Sequence, residues 1–255
     1  MTSAEGGSDR YAAEEDAVEA FLARQNEQRV RAAQGAARKK WGMSITRQGL
    51  DDRQAEAYAR AAIALGAEAF WLAEDSPLEL EMHEDLDKYG RWAREEFGCS
   101  YPFEDGDYYQ VCPCAIAHTR VGLSVGMLVK ERVCAICQLR IPEECGHRAG
   151  RLYEVEGGQG PRGFCRVCGG SSCEEHVEGV LYETLQTWIV VEADLEEISI
   201  VRRPGNPLAR LTKIPMDWDS ILRENPGIRP GQRASCNRCL GICRGIADPF
   251  ADPAT

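Results

Sequence analysis

VCAICQLRIPEECGHRAGRLY, residues 133–153, places Cys134, Cys137, Cys145 and His147 within fourteen positions of a 255-residue chain that carries twelve cysteines. Zinc takes four ligands and favours thiolate and imidazole; structural sites close the tetrahedron with protein atoms alone, commonly three Cys and one His. Two residues between Cys134 and Cys137 let both sulfurs face one ion from a tight knuckle. Cys145 and His147 return from a loop closed by Pro142 and Gly146. A second set follows in FCRVCGGSSCEEHVEG (164–179), with Cys165 and Cys168 as the knuckle and Cys173 and His176 closing it. Both sets lie among glycines, serines and charges, so a reading as buried small hydrophobes fails.

The bulk numbers agree with metal as a structural element. A chain of this length buries a core without cross-links, so small size does not explain the cysteines. Hydrophobic content of 44% with 28% charged residues is that of a globular protein, and no apolar run approaches a membrane span. The acidic start, MTSAEGGSDRYAAEEDAVEAF, lacks the basic flank and apolar block of a secretory signal, so a cytoplasmic location is expected. In a reducing compartment clustered cysteines hold metal rather than disulfides. The net charge of −11 argues against coating nucleic-acid phosphates. The charge is uneven, however: residues 24–47 hold seven Lys or Arg against Glu27, and residues 51–107 hold sixteen acids against five bases. A basic nucleic-acid-binding arm over 24–47 therefore stands as an alternative to a solvated helix surface.

Three regions follow from texture: a helical arm over 1–48, a helical region over 49–98, and a cysteine-rich β and loop domain over 99–255. Residues 11–37 suit an exposed, peripheral helix. Residues 52–73 place Tyr58, Ala61, Ala62, Leu65 and Leu72 on one helical face, broadened by Ile63, Phe70 and Trp71. Ser76, Pro77 and Glu79 predict a helix start and Gly98 its end, with Leu78, Met82, Leu86, Tyr89 and Phe97 inside and His83 facing solvent. Beyond Cys99, Val121, Leu123, Val125, Met127 and Val129 alternate as a strand with one buried face. Residues 187–203 read as two strands about a turn, and 208–214 as another. The fold class is α+β: N-terminal helices, then a small, mostly antiparallel sheet with zinc-clamped loops. No repeat of fixed period is visible.

Two further groups are less complete: Cys99, Cys112, Cys114 and His118, and the C-terminal Cys236, Cys239 and Cys243. Cys99 or Cys114 can equally complete the C-terminal trio, so zinc is expected at two sites at least and at four at most. An iron–sulfur cluster is the alternative for the cysteine-only group. A catalytic zinc needs an open position and a nearby carboxylate. Only Cys112, Cys114 and His118 leave such a vacancy, with Glu104, Asp105 or Asp107 as bases; a structural site is the simpler expectation.

The segments VCPCAIAHTRVGLSVGM, VCAICQLRIPEECGHRAGRLY and LEEISIVRRPGNPLARL, over about 110–211, make the chain similar to a group of uncharacterised bacterial cysteine-rich zinc-binding proteins. That resemblance implies that Cys134, Cys137, Cys145 and His147 act as a unit, and implies no activity. Over about 120–211 the chain also partially resembles the phage prohead maturation proteases. Their core pairs a strand with serine in a Ser-x-Gly context, here LSVGM, with a later Leu-x-Glu-x-Ser strand, here LEEIS. This resemblance implies Ser124 and Glu197 as site residues and a histidine to take the serine's proton; His118 is the candidate. The leading expectation is a non-enzymatic, protein-binding or assembly module, and an active or inactive relative of that peptidase is the alternative.

Overall fold

The structure, a computed structural model, describes residues 8–119 and 121–240. It is α+β, with helices leading and small sheets following. The helices are α1 (Ser8–Thr46), α2 (Asp52–Leu72), α3 (Glu79–Phe97), α4 (Pro113–Ala117) and α5 (Trp218–Glu224). The strands are β1 (Ser100–Tyr101), β2 (Phe103–Glu104), β3 (Asp107–Gln110), β4 (Gly122–Cys134), β5 (Leu152–Glu156), β6 (Leu181–Leu185), β7 (Trp188–Val201), β8 (Ile214–Met216) and β9 (Ala234–Ser235). They pair as β1–β9, β2–β3–β8, β4–β7 and β5–β6. No described helix is long and apolar enough to cross a membrane.

Contacts divide the chain into two compact units, one of residues 25–124 with 199 onward, the other of residues up to 24 with 125–198. The first is built on helices. Asp51 and Gln54 form a reciprocal capping box that starts α2, Asp51 accepting from the Gln54 N–H at 2.7 Å. The buried face of α2 is mostly alanine, Ala55, Ala59, Ala62 and Ala67, with Ile63 and Phe70. Small side chains let α3 approach closely, and its Met82, Leu86, Tyr89 and Ala93 complete the seam. That face is rotated by about one position from the expected one, leaving Tyr58 and Leu65 half-buried. Helix α3 begins two residues later than predicted. Its start still uses Ser76, which accepts from Leu78 N–H, and Glu79, which accepts from Asp75 N–H at 2.7 Å.

Helix α1 is longer and less peripheral than residues 11–37 suggested. Val30, Ala33 and Ala37 are buried at helical spacing, which small residues achieve without a conspicuous apolar stripe. The basic run and the acidic run also meet here. Arg31 pairs with Glu81 at 2.8 Å, Arg38 with Asp85 at 2.8 Å, and Arg47 with Asp52 and Glu96. Buried Gln34 donates to both Glu81 and Asp85. His83 is half-buried against Phe70 and His118, not directed at solvent as its helical run suggested.

Residues 187–203 form one continuous fourteen-residue strand, β7, rather than two. The charged stretch Glu192–Glu197 that resembles a turn is accommodated because the strand faces water, and Lys130 of β4 pairs with Asp194 at 2.8 Å. Residues 208–214 are not a strand: Arg210 bridges Gly122, and β8 starts at Ile214. On β4, Val125, Met127 and Val129 are exposed, because the two-stranded ribbon with β7 leaves the alternating face in water.

Arg210 is the best-buried cation described, its side chain 3% exposed, and it pairs with Glu74, whose side chain is 12% exposed. It also donates to the carbonyls of Pro207 and Arg202. Removing Arg210 takes from the largely buried Glu74 carboxylate the cation it pairs with. Arg210→Ala is therefore expected to cost about 3–5 kcal/mol in urea unfolding followed by circular dichroism. A Glu74→Leu, Arg210→Met double variant should recover a large part of that loss; failure of the single variant to destabilise would refute the role of the pair.

Candidate metal centres

Among the described residues the unit of residues up to 24 with 125–198 has a small apolar core: Cys134, Ile136 and Val155 form one cluster with Tyr153, Ile141 and Val167 packed on it, and Phe21, Val133, Ala135 and Cys165 are also buried. Around this core stand the two cysteine–histidine sets. Among the described residues, Cys134, Cys137, Cys145 and His147 form one group with all donor atoms within 4.8 Å of one another, and Cys165, Cys168, Cys173 and His176 form the second. Each can hold a metal ion.

The first set begins where β4 ends. The chain reverses in a knuckle, with Gln138 N–H bonded to the Cys134 carbonyl at 2.9 Å and Cys134 N–H to the Leu139 carbonyl at 3.0 Å. Gln138 takes φ of 60°, the left-handed conformation that closes the turn. A second turn, with Glu144 N–H and Cys145 N–H both bonded to the Arg140 carbonyl, returns Cys145 and His147. His147 Nδ1 then lies 3.6 Å from Cys145 Sγ and 3.8 Å from Cys134 Sγ, and Cys137 Sγ lies 3.5 Å from Cys145 Sγ. Edges of this length suit a tetrahedron around an ion with Zn–S of about 2.3 Å. Buried Gln186 donates to Cys134 Sγ at 3.6 Å.

The second set repeats the construction. Gly169 N–H bonds the Cys165 carbonyl at 2.9 Å, Cys165 N–H bonds the Gly170 carbonyl at 2.8 Å, and Gly169 has φ of 71°. His176 Nδ1 lies 3.1 Å from Cys173 Sγ and 3.6 Å from Cys165 Sγ.

The likeness extends beyond the ligands. Six residues after each histidine stands a tyrosine, Tyr153 on β5 and Tyr182 on β6, packed edge-on against that histidine with ring centroids 4.9 Å apart. Each tyrosine hydroxyl accepts from the N–H of the residue after the histidine, Arg148 at 2.9 Å and Val177 at 3.0 Å. The antiparallel register pairs Tyr153 with Thr184 and Val155 with Tyr182. Displacing β5 by 29 positions gives β6 and reproduces the same pairs, so the two halves are related as by a two-fold axis. The knuckles are 31 positions apart and the histidines 29, which is why no fixed period shows in the sequence. Buried Gln138 ties the two knuckles together: its amide donates to the Phe164 carbonyl and accepts from the Arg162 N–H, both at 2.6 Å.

Crowding splits the thiols. Burial pushes the Cys145 thiol up to about 12 and the Cys168 thiol up to about 11. Cys173 is pulled down to about 6, chiefly by the backbone N–H of His176. Cys134 is also lowered: burial opposes its ionisation, but the N–H groups of Cys137 and Ile136 and the Gln186 amide outweigh it. Each set thus holds a thiol that ionises readily beside one that resists. A divalent ion held at the centre would supply the charge that lets all the thiols of a set ionise.

The less complete groups are rearranged. His118 does not join the nearby cysteines: its Nδ1 faces the Cys114 carbonyl at 2.6 Å and its Nε2 faces His83 Nε2 at 3.1 Å. Burial and then His118 hold the His83 imidazole below its usual range. Cys114 instead meets Cys239, and Cys236 meets Cys99 across β1–β9. Cys243 lies outside the described residues. Glu104, Asp105 and Asp107 are exposed on the β2–β3 hairpin, where Glu104 pairs with Lys213. Ser124 is half-buried on β4, and exposed Glu197 on β7 lies against Gly126. Both nitrogens of His118 face partners other than Ser124. The basic positions Arg31, Arg38 and Arg47 face carboxylates, as above. The residues that sequence reasoning missed are Gln138, Gln186, Tyr153 and Tyr182. Only the tyrosines left a signal, their constant distance from the ligand histidine.

Compared with known protein families, curated proteins and solved structures, the chain matches none.

Gln138→Ala leaves the Phe164 carbonyl and Arg162 N–H unpaired and is expected to cost about 1–3 kcal/mol in denaturant unfolding of the metal-loaded protein. Tyr153→Phe and Tyr182→Phe should each cost about 0.5–1.5 kcal/mol, by similar amounts if the two halves are equivalent. A large effect in one half alone would contradict that equivalence.

Proposed function

We propose that the protein is a zinc-binding module whose two Cys3His centres are structural and whose role is non-enzymatic binding or assembly with a protein partner. The observation that carries this is the closure of both donor sets: each already supplies four protein ligands, whereas a catalytic zinc keeps a position open. The donor chemistry favours zinc, since three thiolates with one imidazole in a tetrahedron is a common structural zinc set. The small core of this unit supports a structural role, because little apolar burial is present to hold its loops. Structural zinc contributes about 10–16 kcal/mol in finger peptides. For the binding role, the support is the ribbon of β4 and β7, which exposes Met127, Val129, Val190, Leu195 and Ile198. Exposed apolar surface of this kind marks interaction sites.

Elemental analysis of freshly purified protein tests the metal, with zinc at two or more ions per chain expected. Chelation should abolish the near-ultraviolet signal of Trp188, Tyr153 and Tyr182 while most helical ellipticity survives, because α1–α3 own a separate core. Metal-free protein that melts as cooperatively with chelator as without would overturn the structural role. A serine-directed probe tests the non-enzymatic part: labelling that disappears in Ser124→Ala would show an activated serine and defeat it.

A further inference from the structure

We propose that a third zinc ion is bound by Cys112, Cys114, Cys236 and Cys239, four thiols that the sequence distributes between two separate groups. Cys112 and Cys114 stand at the start of α4, and Cys239 lies in the 3-10 turn Arg238–Leu240. The fold returns the C-terminal segment to them through β9, where Cys236 N–H bonds the Cys99 carbonyl at 3.0 Å and Ser235 pairs with Ser100.

The sulfur spacing is the first support. Cys114 Sγ and Cys239 Sγ are 3.7 Å apart, and Cys112, Cys236 and Cys239 line one cavity. A tetrahedral ion with Zn–S of about 2.3 Å places its sulfurs about 3.8 Å apart. In a four-iron cluster each cysteine binds a different iron, which drives the terminal sulfurs farther apart, so the 3.7 Å edge speaks against that cluster. Cys236 and Cys239 have the two-residue spacing of the two knuckles already described. Among the described residues these four sulfurs are not gathered as closely as the donors of the Cys3His sets, so binding an ion draws the thiols together.

The surroundings are the second support. Gly90, in the middle of α3, faces the sulfurs: a Cβ there would stand 2.7 Å from Cys114 Sγ and 3.1 Å from Cys239 Sγ. Glycine inside a helix is unfavourable, and here it makes room for thiols against the helix backbone. Buried Gln110 is oriented by the set, its Oε1 accepting from Cys112 N–H at 2.9 Å and its Nε2 directed at Cys236 Sγ at 3.8 Å. Four thiolates on a divalent ion leave a net charge of −2, and the adjoining cavity of about 410 Å³ is lined by Arg60, Arg94 and Arg233. Arg60 donates to the neighbouring Cys99 Sγ at 3.0 Å.

The test is metal stoichiometry of the full-length protein by elemental analysis. Three zinc ions per chain are expected, falling to two in Cys112→Ser, Cys239→Ser, and also to two in Cys134→Ser, Cys137→Ser. The two double variants report on different sites, so failure of this site and failure of the Cys3His reading are separable. Gly90→Ala serves if the double variant does not fold: added helix propensity protects α3, while the methyl group displaces the thiols, and one zinc should be lost with helicity kept. Cobalt substitution adds a signature, a visible band shifted to longer wavelength for four thiolates than for three with imidazole, present in the wild type and lost in Gly90→Ala. Two zinc ions in the wild type, a full count in Cys112→Ser, Cys239→Ser, or iron with acid-labile sulfide would each overturn the proposal.

Discussion

Convergence of sulfur and imidazole on two points is the constraint on which the 125–198 unit rests. Its apolar core holds Cys134, Ile136 and Val155 and few others, and most of β7 lies in water. A segment with so little buried carbon does not recover its chain entropy from hydrophobic burial alone. Metal coordination is a directional interaction strong enough to substitute, and the two donor sets stand where the backbone has already been turned by the two knuckles.

The two halves of that unit show how little of a symmetric arrangement has to be visible along the chain. What recurs is a set of contacts: a knuckle closed by a left-handed residue, an edge-on tyrosine, and a hydroxyl that accepts from the amide after the histidine. Gln138 stands where the second half has Gly169. A side chain there carries the conformational cost of positive φ, and the two hydrogen bonds to Phe164 and Arg162 offset it by joining one half to the other. The same position thus serves as a turn in one half and as a turn with a tie in the other.

The helical unit follows a different logic. Its stability comes from a close alanine-rich seam between α2 and α3, and from acidic α3 facing the basic residues of α1. This disposition places three of the seven basic residues of 24–47 against acids of the same unit. Arg31, Arg38 and Arg47 satisfy carboxylates of the same unit, and Glu81 is held below its usual range first by Gln34 and then by Arg31. Such exposed pairs contribute little individually, but they align three helices that carry few large apolar side chains.

The amino-acid sequence by itself determined the α+β class, the two complete Cys3His sets and the helix end marked by Gly98. These are local properties: ligand spacing, turn residues and caps act within a few positions and are readable wherever the chain goes. Tertiary structure alone decided what lies far apart in the chain. It sent His118 to His83 and Cys114 to Cys239, joined β7 into one strand, left the β4 alternation in water, and paired two strands so that two unequal loops became equivalent. Each of those outcomes depends on which distant group arrives to take a hydrogen bond, a charge or a buried face, and no window of neighbouring residues contains that information.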